Sequence, residues 1–407
     1  MKPPEGVHAP VAVLEAELSE PLADRTGLER HSQALVLARL YREPMGTVYV
    51  PVHDGRLAAA DLKAAVMADG PLTARLARAT LERRLAGPPA PTTTPPSWSV
   101  VVCTRDRADD LRRCLASLMA AEHPPSGEFI VVDNAPSDDT SRLVAGEFPV
   151  RYVREDRPGL NWARSRGVRS ASGDIVLFTD DDVVADAGWI PALLEPFSGG
   201  RVAAVTGLTL PLELEYEAQL LFERYGGFSR GFERKEHDLT TMRPAGATRV
   251  GAGANMAVRR AVAEELALFD AELDCGTVAR TGGDAYAFYR LLVEGYRIVY
   301  TPRALNWHRH RRDLPALRRT LYDYSVGGFA YLLRCWVDHG DWDAPRTALS
   351  WLLHDHARQV ARLVFRRPAR LPWPLVRDYL LGVPDAPAAY RAARRREREL
   401  AAAGGWA

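Results

Sequence analysis

The sequence has almost no lysine: three residues against 50 arginines in a chain of 407. Such a bias follows genomic base composition as readily as chemistry, so no special guanidinium role is read from it. Cysteine is scarce as well. Cys103, Cys114, Cys275 and Cys335 show no CxxC spacing and no dense disulfide framework, which excludes zinc ribbons and knottins and leaves small buried hydrophobes in a reducing compartment. No run approaches the roughly 18 to 20 uncharged apolar residues that a bilayer-crossing helix needs. The start, MKPPEGVHAP, lacks the charged-then-apolar order of a signal peptide, so the expected location is the cytoplasm. A formal net charge of +1 lacks the basic excess of a dedicated nucleic-acid binder, and no nucleic-acid partner is expected. No GxGxxG or GxxxxGK[ST] follows the first strand after the linker, which argues against dinucleotide-binding oxidoreductases and P-loop enzymes.

What is present is an ordinary soluble composition, 47% hydrophobic and 26% charged, in a length sufficient for two or three domains. The near-zero charge conceals an asymmetry. From residue 301 onward there are 19 Arg and no Lys against 10 Asp plus Glu, a net of +9, so residues 1–300 carry −8. PPAPTTTPP, residues 88–96, has proline and threonine without an apolar period and reads as a linker. Before it, residues 1–87 form a small α/β module of unassigned role. Strands are expected at 11–18, 34–41 and 47–52, the last two joined by a turn at Arg42–Gly46, and a helix at 59–86 broken near Gly70–Pro71. Residues 97–312 alternate short apolar strands (99–104, 129–133, 150–153, 174–180, 202–207) with helices (107–121, 137–146, 160–171, 188–197), the pattern of a mainly parallel sheet flanked by helices. Residues 313–407 read as a helical extension.

In such a sheet, ligands bind beyond the carboxyl ends of the strands. Those ends are unusually polar here: Thr104-Arg105-Asp106, Asp133-Asn134 and Asp180-Asp181-Asp182. Three consecutive carboxylates repel one another unless a cation or hydrogen-bond donors neutralise them. Hard oxygen ligands favour Mg²⁺ or Mn²⁺, whose remaining positions commonly take substrate phosphates. A solvated acidic turn or helix cap is the bland alternative.

These elements, in this order, resemble the family 2 glycosyltransferases of GT-A fold. The resemblance covers about residues 97–312 and rests on SVVVCTRDR, IVVDNAPSDDT, GLNWARSRG, SGDIVLFTDDDV, GAGANMAVRR and TGGDAYAFYRLLVEGYRIVYTPRALNWHRH. It implies a nucleotide-binding sheet and metal-assisted, inverting transfer of a sugar from a nucleoside diphosphate donor, with a UDP-sugar favoured. The acceptor is a hydroxyl on a glycan, a lipid-linked molecule or a small molecule. By the same resemblance Thr104, Arg105, Asp133 and Asn134 hold the base and ribose, and Arg164 faces the nucleotide or diphosphate. Asp180 and Asp181 lie on the donor side, Asp182, Asp180 and His308 hold the metal, and Asp284 is the general base. His310 is a weaker candidate than His308, and an exposed basic turn explains both. The sequence departs from the family where Gly283 replaces a glutamate and Tyr286 a later acidic residue. Gly253, Ala254 and Asn255, with Gly283, are expected at the sugar or acceptor pocket, although a tight β-bend explains the glycines of GAGAN nearly as well.

The polar stretch 226–249 reads as a lid or a disordered loop. Beyond 313, Leu317, Leu321, Tyr324, Gly328, Tyr331 and Cys335 form an apolar helical face expected to pack on the catalytic domain. A second stretch sets Leu349, Leu352, Leu353, Val360, Leu363 and Val364 beside Arg358, Arg362, Arg366, Arg367 and Arg370. Core packing or self-association is its first reading and peripheral contact with the inner face of a membrane its second. The rival functions are a sugar-phosphate nucleotidyltransferase, whose glycine-rich basic loop CTRDRADDL lacks, and a catalytically inactive nucleotide-sugar-binding scaffold.

Overall fold

The protein is described by a computed structural model over residues 3–4, 6–86, 95–271, 273–356 and 371–402. Of the 88–96 linker only Pro95 and Pro96 lie within the described residues. The N-terminal sheet has β1 (Val11–Glu17) parallel to β2 (Gln33–Leu40), and β2 antiparallel to β3 (Glu43–Pro51). The β2–β3 turn is tighter than the expected Arg42–Gly46. Leu40 pairs with Glu43, and Tyr41 and Arg42 both have positive φ, 55° and 70°. Two such residues match the right-handed twist of a hairpin, but no Asn-Gly pair announced them. Helices α1 (Ala59–Ala68) and α2 (Gly70–Ala86) break where Gly70-Pro71 predicted.

Strand β2 is apolar from Ala34 to Ala38 because both its faces are covered. Ala34, Val36 and Ala38 face the core formed with α1 and α2, through Leu62, Val66 and Leu72. Leu35 and Leu37 point the other way, into clusters containing Leu208, Leu214 and Trp307. The N-terminal sheet is therefore packed on the rest of the chain, and Arg39 adds an ion pair to Asp186 at 2.5 Å.

The main sheet begins with β4 (Trp98–Thr104), α3 (Ala108–Ala120), β5 (Gly127–Asn134), α4 (Thr140–Ala145), β6 (Arg151–Glu155), α5 (Leu160–Ser170) and β7 (Ile175–Asp180). Alternation along β4 explains the layering. Val100 and Val102 pack with Leu111, Leu115 and Leu118 of α3, while Val101 and Cys103 pack with Ala163 and Val168 of α5. The chain continues through β8 (Val183–Ala185), α6 (Trp189–Leu194), β9 (Val202–Pro211), α7 (Glu217–Tyr225), β10 (Lys235–His237), β11 (Asn255–Arg259), α8 (Arg260–Glu265), α9 (Gly283–Val293) and β12 (Arg297–His308). Strand order is β10-β12-β9-β11-β7-β4-β5-β6, with β8 on β12. β4 to β7 run parallel, and β11 is antiparallel to both β7 and β9. The predicted sheet flanked by helices is present.

Two differences bear on the site. A proline normally closes a strand, yet β12 runs on past Pro302 to His308. Its pairing with β9 jumps between Thr301 and Leu305, so a bulge absorbs the proline that cannot donate to the ladder. His308 is thus the last residue of a strand. The polar stretch 226–249 is ordered: β10 pairs with β12, Pro244–Arg249 is a 3₁₀ turn, and Arg230 donates to the carbonyls of Phe228 and Thr248.

Helix α10 (Leu314–His339) buries Leu317 and Leu321 against α7, and Tyr331 and Cys335 in the main core. Helices α11 (Asp343–Ser350), α12 (Trp373–Gly382) and α13 (Ala386–Ala402) complete the extension. Part of the positive charge beyond residue 300 is neutralised within the chain. Arg309 pairs with Asp110, Arg312 with Glu213, and buried Arg334 with Asp270 and Glu397. Leu349 and Leu353 are exposed. Val360, Leu363 and Val364, with Arg358, Arg362, Arg366, Arg367 and Arg370, lie outside the described residues. Among the described residues no helix is long and apolar enough to cross a membrane.

Candidate active site

The carboxyl ends of β4, β5 and β7 lie side by side: Thr104 pairs with Asp133, and Cys103 with Asp180. Over them opens a cavity of about 420 Å³. Its polar wall includes Thr104, Arg105, Asn134, Asp180, Asp181, Asp182, His308 and His310, and its apolar wall Phe222, Phe228, Leu317 and Tyr324. Asp133, Arg164, Gly253, Ala254, Asn255, Gly283 and Asp284 are not among its lining residues.

The three aspartates have different partners. Asp181 accepts from Thr104 Oγ1 at 2.8 Å and from Arg107 at 3.1 Å. Burial and the charge of Asp182 push its carboxyl up to about 7. Asp182 accepts from the same Arg107 guanidinium at 3.0 Å. Burial opposes its ionisation, but His308 and Arg107 outweigh that and hold its carboxyl well below the usual range. Asp180 is raised by burial, against the pull of Arg164, whose Nη2 lies 4.0 Å away.

Asp180, Asp182 and His308 offer one ligand atom each within 4.8 Å of one another. His308 Nε2 is 3.2 Å from Asp182 Oδ1, which is buried and makes no hydrogen bond. Burial would lower the His308 pKa, but Asp182 raises it above the ordinary histidine value. Two carboxylates and an imidazole converging on an oxygen with unused lone pairs suit a divalent cation. His310 is buried behind His308, and burial lowers its pKa despite Glu223.

Asp133 is buried at the end of β5. Oδ2 accepts from Tyr152 at 2.9 Å, while Oδ1 has no partner and so keeps an acceptor free. Burial raises its pKa in spite of Tyr152. Asn134 ties β5 to the start of α5: Nδ2 donates to the Arg157 carbonyl at 2.8 Å and Oδ1 accepts from Gly159 N at 2.9 Å. Arg105 is half exposed at the rim.

Arg164 is buried on α5 and pairs with Asp274 at 2.8 Å. Burial acts against its charge, and Asp274, Asp180 and Asp284 together maintain it. Asp274, buried beside Asp284, is pushed up to about 7 although Arg164 pulls the other way. Asp284 sits on the first turn of α9, where Oδ2 accepts from Gly253 N at 2.9 Å and Oδ1 from Ala285 N at 2.8 Å. A carboxylate has about four acceptor positions, so two remain.

The small residues around it have packing reasons. A Cβ on Gly253 would stand 2.4 Å from Arg164 Nη2, and one on Gly283 2.3 Å from Asn161 Nδ2. The second contact explains why the position where the resemblance expected a glutamate carries glycine. Tyr286, at the expected later acid, is buried and meets His339 Nε2 at 2.9 Å. Asn255 is buried beneath the sheet end. It accepts from Trp189 Nε1 and donates to the carbonyls of Leu208 and Ala304, each at 2.9 Å. Ala254 contributes its carbonyl to Asn306 at 2.8 Å.

Sequence reasoning missed Arg107, Tyr152, Asp274 and Glu223. Arg107 follows Arg105 by two residues, and the turn at Asp106, φ 54°, swings it toward the aspartates. The other three are brought in by tertiary packing. Cys275, expected to be buried, is exposed at the cavity, while the other three thiols are buried.

Residues 99–267 match the profile of the family described as Glycosyl transferase family 2. The chain is 26% identical over 228 residues to Glycosyltransferase AglE of Haloferax volcanii, covering 54% of this chain and 69% of that one. It is 26% identical over 308 residues to the Pre-mycofactocin glycosyltransferase of Mycobacterium tuberculosis, covering 72% of this chain and 60% of that one. Among solved structures, it is similar to the mannosyltransferase PcManGT of Pyrobaculum calidifontis in complex with GDP-Man and Mn²⁺. Identity there is 18% and the TM-score 0.45, over 81% of this chain and 86% of that one.

Proposed function

We propose, from the match of residues 99–267 to the Glycosyl transferase family 2 profile, that the protein moves a sugar from a nucleoside diphosphate donor to an acceptor hydroxyl with inversion at the anomeric carbon. The observation that carries this reading is the convergence of Asp180, Asp182 and His308 at one end of a cavity whose other wall is aromatic and apolar. Asp133, with a free buried oxygen, accepts the imide N–H of a uracil base, which favours a uridine nucleotide. Thr104 and Asn134 flank that position.

Asp180, Asp182 and His308 would hold Mg²⁺ or Mn²⁺, which when bound offsets the charge that grows on the diphosphate. Arg107 and Arg311 approach Asp182 from the cavity side, at 3.0 and 3.9 Å, and supply fixed positive charge to the same region. Asp284 takes the proton of the acceptor hydroxyl as its oxygen attacks C1 of the sugar, the C1–O bond to the diphosphate breaks, and the nucleoside diphosphate leaves. One base suffices for a single in-line displacement. Two backbone N–H groups fix its direction while its other lone pairs stay available.

A thermal-shift panel of nucleotide sugars with and without Mn²⁺ tests donor binding, since a ligand of the native state raises its melting temperature. Product analysis tests the chemistry. Release of nucleoside diphosphate with an inverted glycoside supports the proposal, and release of pyrophosphate overturns it.

A further inference from the structure

Behind His308 runs a second set of contacts that the transfer reaction leaves unused. Helix α7 places Glu223 against His310: Oε1 of Glu223 lies 2.8 Å from His310 Nε2. The Nδ1 atoms of His310 and His308 then face each other at 2.9 Å, and His308 Nε2 points at Asp182. Glu223 and His310 are both buried. Phe228 packs edge-on against the His308 ring at 4.9 Å, and Phe222 lies 4.6 Å from the His310 ring. Both rings are thereby restrained.

The chain of contacts has a direction. A carboxylate only accepts, so His310 Nε2 carries a hydrogen. Two facing nitrogens share one hydrogen. In a neutral His310 the Nδ1 is a lone pair, and the hydrogen between the rings belongs to His308 Nδ1. His308 Nε2 is then a lone pair turned toward Asp180 and Asp182, the form a metal ligand requires. Reversed, the same atoms would place an N–H on His308 Nε2, where it would donate to Asp182 and block ligation. The two ends compete: Asp182 accepts in the reversed order and Glu223 in the first, so with a cation on the carboxylates of Asp180 and Asp182 the acceptor at Glu223 would select the order that leaves Nε2 free.

We propose that Glu223, acting through His310, is a positioning residue that fixes His308 in the tautomer presenting Nε2 to the cation site. The proposal rests on reading Asp180, Asp182 and His308 as that site. Glu223→Gln keeps the shape but its amide can donate as well as accept, so it releases the direction. His310→Phe breaks the chain of contacts.

The test is Mn²⁺ binding to the donor-free full-length protein, followed by the electron paramagnetic resonance of free Mn²⁺, for wild type, Asp182→Ala, Glu223→Gln and His310→Phe. Expected are near-complete loss for Asp182→Ala and about 10- to 100-fold weaker binding for Glu223→Gln and His310→Phe. If both relay variants bind within twofold of wild type while Asp182→Ala does not bind, the relay is overturned and the cation site stands. If wild type and Asp182→Ala bind alike, the site itself fails and the relay with it. Long-range ¹H–¹⁵N spectra of histidine-labelled wild type at alkaline pH give a readout that needs no variant. A neutral His308 protonated at Nδ1 supports the proposal, and one protonated at Nε2 overturns it.

Discussion

Gly253 donates its backbone N–H to Oδ2 of Asp284 at 2.9 Å, so the carboxylate assigned as the base is aimed by the segment leading into β11 as well as by its own helix. Asp284→Asn keeps an acceptor for that N–H but cannot take a proton at neutral pH. Transfer should fall by about 10²- to 10⁴-fold, the usual contribution of a general base, while the donor-induced rise in melting temperature is retained. Turnover near the wild-type rate would sink the assignment.

The same pair explains why position 253 has no side chain. In Gly253→Ala the new Cβ would stand 2.4 Å from Arg164 Nη2 and 3.2 Å from Asp284 Cβ, and Arg164 is anchored by Asp274. Expected are a loss of about 1–3 kcal/mol in urea unfolding, typical of overpacking, and at least a tenfold drop in kcat/KM. An unaltered enzyme would show that Arg164 moves without consequence.

Asp182→Ala removes a carboxylate whose Oδ1 has no hydrogen-bond partner and whose Oδ2 is shared with Arg107. Mn²⁺ should then add nothing to the thermal shift produced by the preferred nucleotide sugar. A metal-dependent shift of wild-type size would place the cation elsewhere.

Asp181 and Asp274 are each pushed up to about 7 by burial beside other carboxylates. Between pH 4 and pH 7 the unfolded chain has released these protons and the folded chain still holds them. Stability should therefore fall as pH rises through that interval. Thermal melts of the ligand-free protein from pH 4.5 to 8 should show the decline, and Asp274→Asn should flatten it. A melting temperature that climbs with pH across the interval in both proteins would contradict this.

The parallel half of the sheet was legible because strands covered on both faces read as continuous apolar runs, and the polar residues just past them marked the cavity. Asp180 and Asp182 were found in the same way and His308 through the family resemblance, and the three do converge. Partners that depend on distant packing could not be read locally. Glu223 reaches His310 across 87 positions, and Tyr152 meets Asp133 only because β6 lies beside β5. The run of β12 past Pro302 was hidden because a proline normally closes a strand, and only the pairing with β9 shows the bulge. At the glycines of GAGAN the structure shows close protein neighbours, Thr206 at Gly251 and Arg164 at Gly253, which only the fold brings there.

The N-terminal sheet has a consequence for the order of synthesis. Its strands and both its helices leave the ribosome before residues 208–307 do, and the core they share is local, from Ala12 to Leu72. The opposite face, with Leu35 and Leu37, is covered by Leu208, Leu214, Leu305 and Trp307. During translation the module must therefore carry an uncovered apolar surface for well over a hundred residues. At the usual pace of about 5–20 residues per second that lasts many seconds. Slowing elongation between residues 90 and 300 should raise the aggregated fraction of nascent chains, with the first module as the part that associates.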